Sequence, residues 1–188
     1  ESYGKVELTF SHDFRQATAK SFSAIATFAT REAYVKANWN RSASFDTLEA
    51  NIDIKSRFIG EMHVKANFDV SNTADAHAEV TYSRTTSGGE TRNASMKWLR
   101  KRTSDHLETE LVADTPFEFL KHQRIYVKAD FSGIFHLTSG AEYNDKKVTF
   151  DLDIKKKSIT GKITTPIENF ELIEGSINFN LGGRTKTV

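Results

Sequence analysis

Met62, Val64, Ala66, Phe68 and Val70 alternate with Glu61, His63, Lys65, Asn67 and Asp69. A period of two residues places all the apolar groups on one face of a strand and all the polar groups on the other. Leu48, Ala50, Ile52 and Ile54 alternate in the same way with Glu49, Asn51, Asp53 and Lys55, and Val148, Phe150, Leu152 and Ile154 with Thr149, Asp151, Asp153 and Lys155. Further strands are predicted over residues 5–10, 21–29, 33–39, 76–82, 94–99, 107–112, 125–131, 158–164 and 175–181. No window carries a sustained i, i+3, i+4, i+7 apolar stripe; only short helical turns are expected, near residues 117–123 and 167–172. Ser87-Gly88-Gly89, Tyr143-Asn144-Asp145 and Gly182-Gly183 separate alternating runs, where hairpin loops need residues tolerant of positive φ. The pattern predicts an all-β chain, an antiparallel meander of about 10–13 strands with one apolar face. That sheet could stay open or close into a barrel or a sandwich.

Internal similarity sharpens this picture. The strand Tyr34-Val-Lys-Ala-Asn-Trp-Asn40 matches His63-Val-Lys-Ala-Asn-Phe-Asp69 and Tyr126-Val-Lys-Ala-Asp-Phe-Ser132, with a looser copy at residues 176–182. Thr115-Pro-Phe-Glu118 recurs as Thr165-Pro-Ile-Glu168. The strand copies are unequally spaced, so this is not a solenoid of one repeat length. Pro116 and Pro166 lack an N–H, so each should mark a strand end.

These residues carry a resemblance. The segment from Ser158 to Asn180, with its Thr-Pro-Ile-Glu corner between two alternating runs, resembles the β-sheet repeats of the large lipid transfer proteins, above all the apolipophorins and the mite group 14 allergens. The likeness covers roughly residues 107–181; over the first hundred residues only the strand pattern supports it. It implies that residues 1–188 are a single all-β domain cut from a much longer secreted lipoprotein. It also implies non-catalytic lipid binding and transport, with lipids and the remainder of the parent chain as partners.

Charge and composition exclude more than they select. Lys and Arg number 26 against 25 Asp and Glu, so no general attraction to nucleic acid is expected. No run is apolar enough for a transmembrane helix. The first ten residues lack the blocks of a signal peptide, so the chain reads as mature or as a piece of something longer. With no cysteine, disulfides, thiol nucleophiles and thiolate metal sites are excluded. Six histidines, at 12, 63, 77, 106, 122 and 136, lack metal-ligand spacing and read as surface residues. Asp151 and Asp153 share a strand face at about 7 Å, a separation open to glycosidase carboxylates, but no cleft signal accompanies them. Nucleotide-binding glycine motifs and the GxSxG elbow are absent. Neither a catalytic residue nor a cofactor is expected. The basic runs 100–102 and 155–157 read as solubilising strand ends, with contact to anionic headgroups or a receptor as the minority reading. Asn40-Arg-Ser42 and Asn93-Ala-Ser95 are glycosylation sequons, and bear on function if the chain is secreted.

About twelve strands would present an apolar face on the order of 1,700 Å², well above the patch of about 300–600 Å² that soluble monomers expose. That face has to be covered. From the resemblance, its expected lipid-binding residues are Met62, Val64, Phe68, Val70, Ile125, Val127, Phe131, Val148, Phe150, Leu152, Ile154, Ile177 and Phe179. The alternatives are a self-closed barrel or sandwich binding one small lipophile, or a structural or adhesive module.

Overall fold

The computed structural model describes residues 6–28 and 31–178. Strands β1 (Val6–Asp13), β2 (Ala19–Phe28), β3 (Arg31–Arg41), β4 (Thr47–Ser56), β5 (Gly60–Asp69), β6 (Asp75–Thr85) and β7 (Thr91–Arg102) are followed by β8 (His106–Asp114), β9 (His122–Asp130), β10 (Phe135–Tyr143), β11 (Lys146–Lys155), β12 (Ser158–Thr164) and β13 (Leu172–Asn178). All thirteen pair antiparallel in one sheet whose spatial order is the chain order. Between β8 and β9 lies a single 3-10 turn, Glu118–Leu120, inside the stretch where a helical turn is expected. The stretch 167–172 instead carries Asn169 at φ 68. Phe179, the 182–183 turn and the end of the last predicted strand lie outside the described residues.

The sheet is an open single layer. Among the described residues β1 pairs only with β2 and β13 only with β12, so neither barrel nor sandwich forms. Among the described residues Ala76, Tyr126 and Ala129 are the only buried apolar ones, and no side chain is fully buried. The accessible surface is 13,866 Å², against about 9,000 Å² for a compact monomer of this mass.

Alternation and register together fix two faces. Ile54, Met62 and Arg84 stand opposite one another, as do Ile52, Val64 and Tyr82, and Leu48, Phe68 and Ala78. Farther along, Ile125 sits between Leu111 and Ala141, and Val127 between Thr109 and Ser139. Val148, Phe150, Leu152 and Ile154 lie opposite Ala141, Ser139, Leu137 and Phe135. Ile154, Ile159 and Ile177 continue the row into β13. Val70 and Phe131 lie one residue past β5 and β9, donating their N–H groups to Asp46 O at 2.8 Å and Asp105 O at 2.7 Å.

Two corners share one construction. Thr115 Oγ1 donates to Leu120 O at 2.7 Å and accepts from Phe117 N–H at 3.3 Å, while Thr115 N–H donates to Lys121 O. Thr165 repeats each bond at the same offsets, with Phe170 O at 2.8 Å, Ile167 N–H at 3.1 Å and Glu171 O. In both, a proline that cannot donate stands two residues past the strand end, directly after the threonine, where no ladder bond is lost. The first corner is also tied to the β10–β11 turn, because Tyr143 Oη donates to Phe119 O and His122 N–H donates to Asn144 Oδ1 at 3.1 Å.

Candidate functional site

The polar face divides into two halves. Over β8–β11 the side chains satisfy one another. Arg124 reaches Glu110 at 2.7 Å and Glu142 at 3.3 Å, Lys147 reaches Glu142 at 3.2 Å, and Lys128 reaches Glu108 at 2.6 Å. The Arg124 guanidinium also stacks over the Tyr126 ring, 4.8 Å from its centroid. Tyr126 is buried because its ring lies over Gly140, where a Cβ would come within 2.6 Å of it. Only glycine leaves room for that ring. Thr138 donates to Asp151 at 2.9 Å, and His136 contacts Asp153 at 2.7 Å. The two aspartates considered as paired carboxylates are thus each engaged by a neighbouring strand.

Over β4–β8 the face is different. A groove of about 490 Å³ crosses these five strands. Register builds two polar rows along it: Asp53, His63, Ser83 and Asn93 in one, and Asn51, Lys65, Thr81, Ser95 and Asp114 in the other. The ends of the rows are held. His63 Nδ1 lies 2.6 Å from Asp53, Asn51 donates to Asn38 at 3.0 Å, and Asp114 takes contacts from His122 at 2.7 Å and Ser95 at 3.4 Å. The middle is not. Among the described residues the side chains of Lys65, Thr81, Ser83 and Asn93 make no hydrogen bond to protein. A second depression of about 390 Å³, lined by Ser21, Asn38, Asn40 and Glu49, adjoins the first at Asn51. Hydroxyl and amide groups both donate and accept, so the free middle suits a neutral, polyhydroxylated ligand.

Electrostatics on this face comes from neighbouring strands and turns. Lys55 pairs with Glu61 at 2.5 Å, lowering the Glu61 carboxyl and raising the ammonium. A hydrogen bond from Lys128 lowers Glu108. Ser71 and Ser132 each donate hydroxyl and N–H to the aspartate two residues before, which lowers Asp69 and Asp130. Arg15 holds Asp13 at about 2, against an ordinary 3.8. Four of the six histidines lie within 4 Å of a carboxylate on this face; alternation showed His63 and His106 as polar but could not show any partner. Among the described residues no cluster of three or more His, Asp or Glu could hold a metal ion, and no helix is long and apolar enough to cross a membrane.

The groove escaped sequence reading because each of its strands looks like any other half-wet strand; only register brings the two rows together. Of the thirteen residues singled out on the apolar pattern, those within the described strands lie on the opposite face by register, Val64 also bordering the groove. The sequon residues Asn40 and Asn93 are exposed on the polar face, Asn93 within the groove itself.

No family model and no solved structure matches the chain. It is similar to a β-1,3-glucan-binding protein of Penaeus vannamei, with 48% identity over 187 residues. That match takes in the whole of this chain but only 13% of the relative's length. The finding corrects the expectation of an apolipophorin-like carrier whose partners are lipids and whose function is lipid transport. The relative is named for binding a carbohydrate, and the resemblance had been carried by strand and corner residues, which record architecture and not ligand.

Proposed function

We infer that the polar face binds β-1,3-glucan, with the chain lying along the groove over β4–β8. The observation that carries this reading is the free middle of the two polar rows, where Thr81, Ser83, Asn93 and Lys65 present unused donors and acceptors side by side. The adjoining depression lets a polymer continue past Asn51 toward β2. Similarity to the Penaeus vannamei protein supports the ligand class. The reading is of binding without turnover, since the acids of the groove, Asp53 and Asp114, are each occupied by a histidine. It sits with an extracellular chain, a location that the exposed sequon asparagine Asn40 also suits. Kinship with the large lipid transfer proteins is kept as a proposal of shared architecture, supported by the two corners of like hydrogen bonding; lipid carriage does not travel with it.

The test is titration with laminarin, a soluble β-1,3-glucan, against dextran. The double variant Ser83→Ala, Asn93→Ala removes two groups that face solvent, so its fold should hold while laminarin affinity falls about tenfold, or about 1.4 kcal/mol. Equal binding of laminarin and dextran by the unaltered chain, or full affinity in the variant, would place glucan recognition elsewhere.

A further inference from the structure

Charge is segregated between the two faces more completely than hydrophobicity is. Register puts every Asp and Glu of the thirteen strands on the polar face. The apolar face carries cations only, and they stand at its two borders. Lys20, Arg41, Arg100 and Arg102 lie along one end of the strands, and Arg84, Arg92 and Lys146 along the other. Arg92 reaches Glu90 in the adjacent turn at 3.0 Å; among the described residues the other six have no carboxylate within 4 Å. Arg84 and Arg92 stand directly opposite each other, an arrangement that costs stability in an isolated sheet. Between these borders the face is open, with Phe10 69% and Ile125 58% exposed.

A second copy of the chain is a poor occupant, because stacking two such faces sets cation border against cation border. The surface also has relief. Gly161 and Gly175 are paired across β12 and β13, and a Cβ on either would meet nothing within 4 Å. This leaves a socket bordered by Leu152, Ile159 and Ile163. Packed protein layers fill such sockets with side chains from the facing layer. We propose that the apolar face docks a polypeptide surface whose apolar stripe is bordered by Asp and Glu, the acids pairing with the two arginine-rich borders. It is a second binding surface, on the side away from the glucan groove, and it stands or falls without it.

Both tryptophans of the chain, Trp39 and Trp98, are on the apolar face, so their emission reports on its cover. The chain is titrated with a synthetic amphipathic helix carrying a Leu stripe flanked by Glu, and with the same helix flanked by Lys. The Glu form should shift the emission to the blue and bind about tenfold tighter or more. The variant Arg100→Glu, Arg102→Glu should reverse that preference, a gain of Lys-form binding that misfolding cannot produce, and laminarin titration of the same variant reads the other face. Equal binding of the two helices overturns the proposal. So does a blue shift produced by phosphatidylserine vesicles while the Glu form gives none, which would put an anionic lipid layer there. A shift that grows with chain concentration alone would put a second copy there and overturn it as well.

Discussion

The polar face spends its chemistry within the sheet, and the apolar face spends almost none. On the first, carboxylates, ammonium, guanidinium and hydroxyl groups from adjacent strands meet at 2.5–3.4 Å, and the middle of the β4–β8 groove is among the places left unpaired. On the second, aliphatic and aromatic groups touch their neighbours across the register and then stop at solvent, with no second layer above them. The difference teaches where each kind of residue acts. Polar groups that satisfy one another hold the register; polar groups that do not are available to a ligand. Apolar groups in a single layer contribute little more than half of what a closed core would draw from them, because one side of each remains wet.

Phe150→Asp is the hardest blow to that comparison. Phe150 sits mid-strand between Ser139 and Ile163, and a carboxylate there should lower stability by about 3 kcal/mol in urea unfolding. A loss under about 1 kcal/mol would mean that the apolar face contributes no more than ordinary surface. Gly140→Val attacks the polar face at its one buried ring. The new side chain must displace Tyr126, and with it the stacked Arg124; the expected loss is about 2 kcal/mol, with the β8–β11 amides exchanging faster than those of β4–β7.

Acid should act on the polar face alone. The lowered carboxyls of Asp13, Glu61, Asp69, Glu108 and Asp130 bind protons less readily folded than unfolded. Their contribution is therefore complete above the ordinary carboxylate range and is lost as pH falls from about 4.5 toward 2. The urea midpoint should drop over that window in the unaltered chain, and by a smaller amount in Glu108→Gln. The least effect is expected from Lys128→Met. Its ion pair with Glu108 is half in water, and its loss should cost under about 1 kcal/mol.

Much of this molecule was legible as alternation. Met62 to Val70 and Val148 to Ile154 announce their strands and their faces, and residues 158–164 give β12 to the residue. The strand missing from sequence reading is β10. Its apolar row runs Phe135, Leu137, Ser139, Ala141, Tyr143, broken in the middle by Ser139 and followed there by Gly140. Gly140 has its cause on the neighbouring strand, since it makes room for Tyr126, and no local pattern records that. Openness of the sheet was equally hidden, because a half-wet strand alternates in the same way in a barrel, a sandwich or a single layer. The groove needed five strands in register before its rows existed at all. Segregation of the acids was written in the chain, but parity has meaning across turns only once each turn's length and pairing are known.

Each strand of this sheet has substantial contacts only with the strand before it and the strand after it. Pulled from its two outer strands, such a ribbon bears load on one hydrogen bond at a time, as a zipper does, and not on a whole ladder sheared at once. Every strand of about ten residues then pays out about 35 Å of chain before the next begins to yield. The sheet would lengthen in many small, low-force steps, each of which hands the next pair of borders and the next rung of the groove to the solvent in turn.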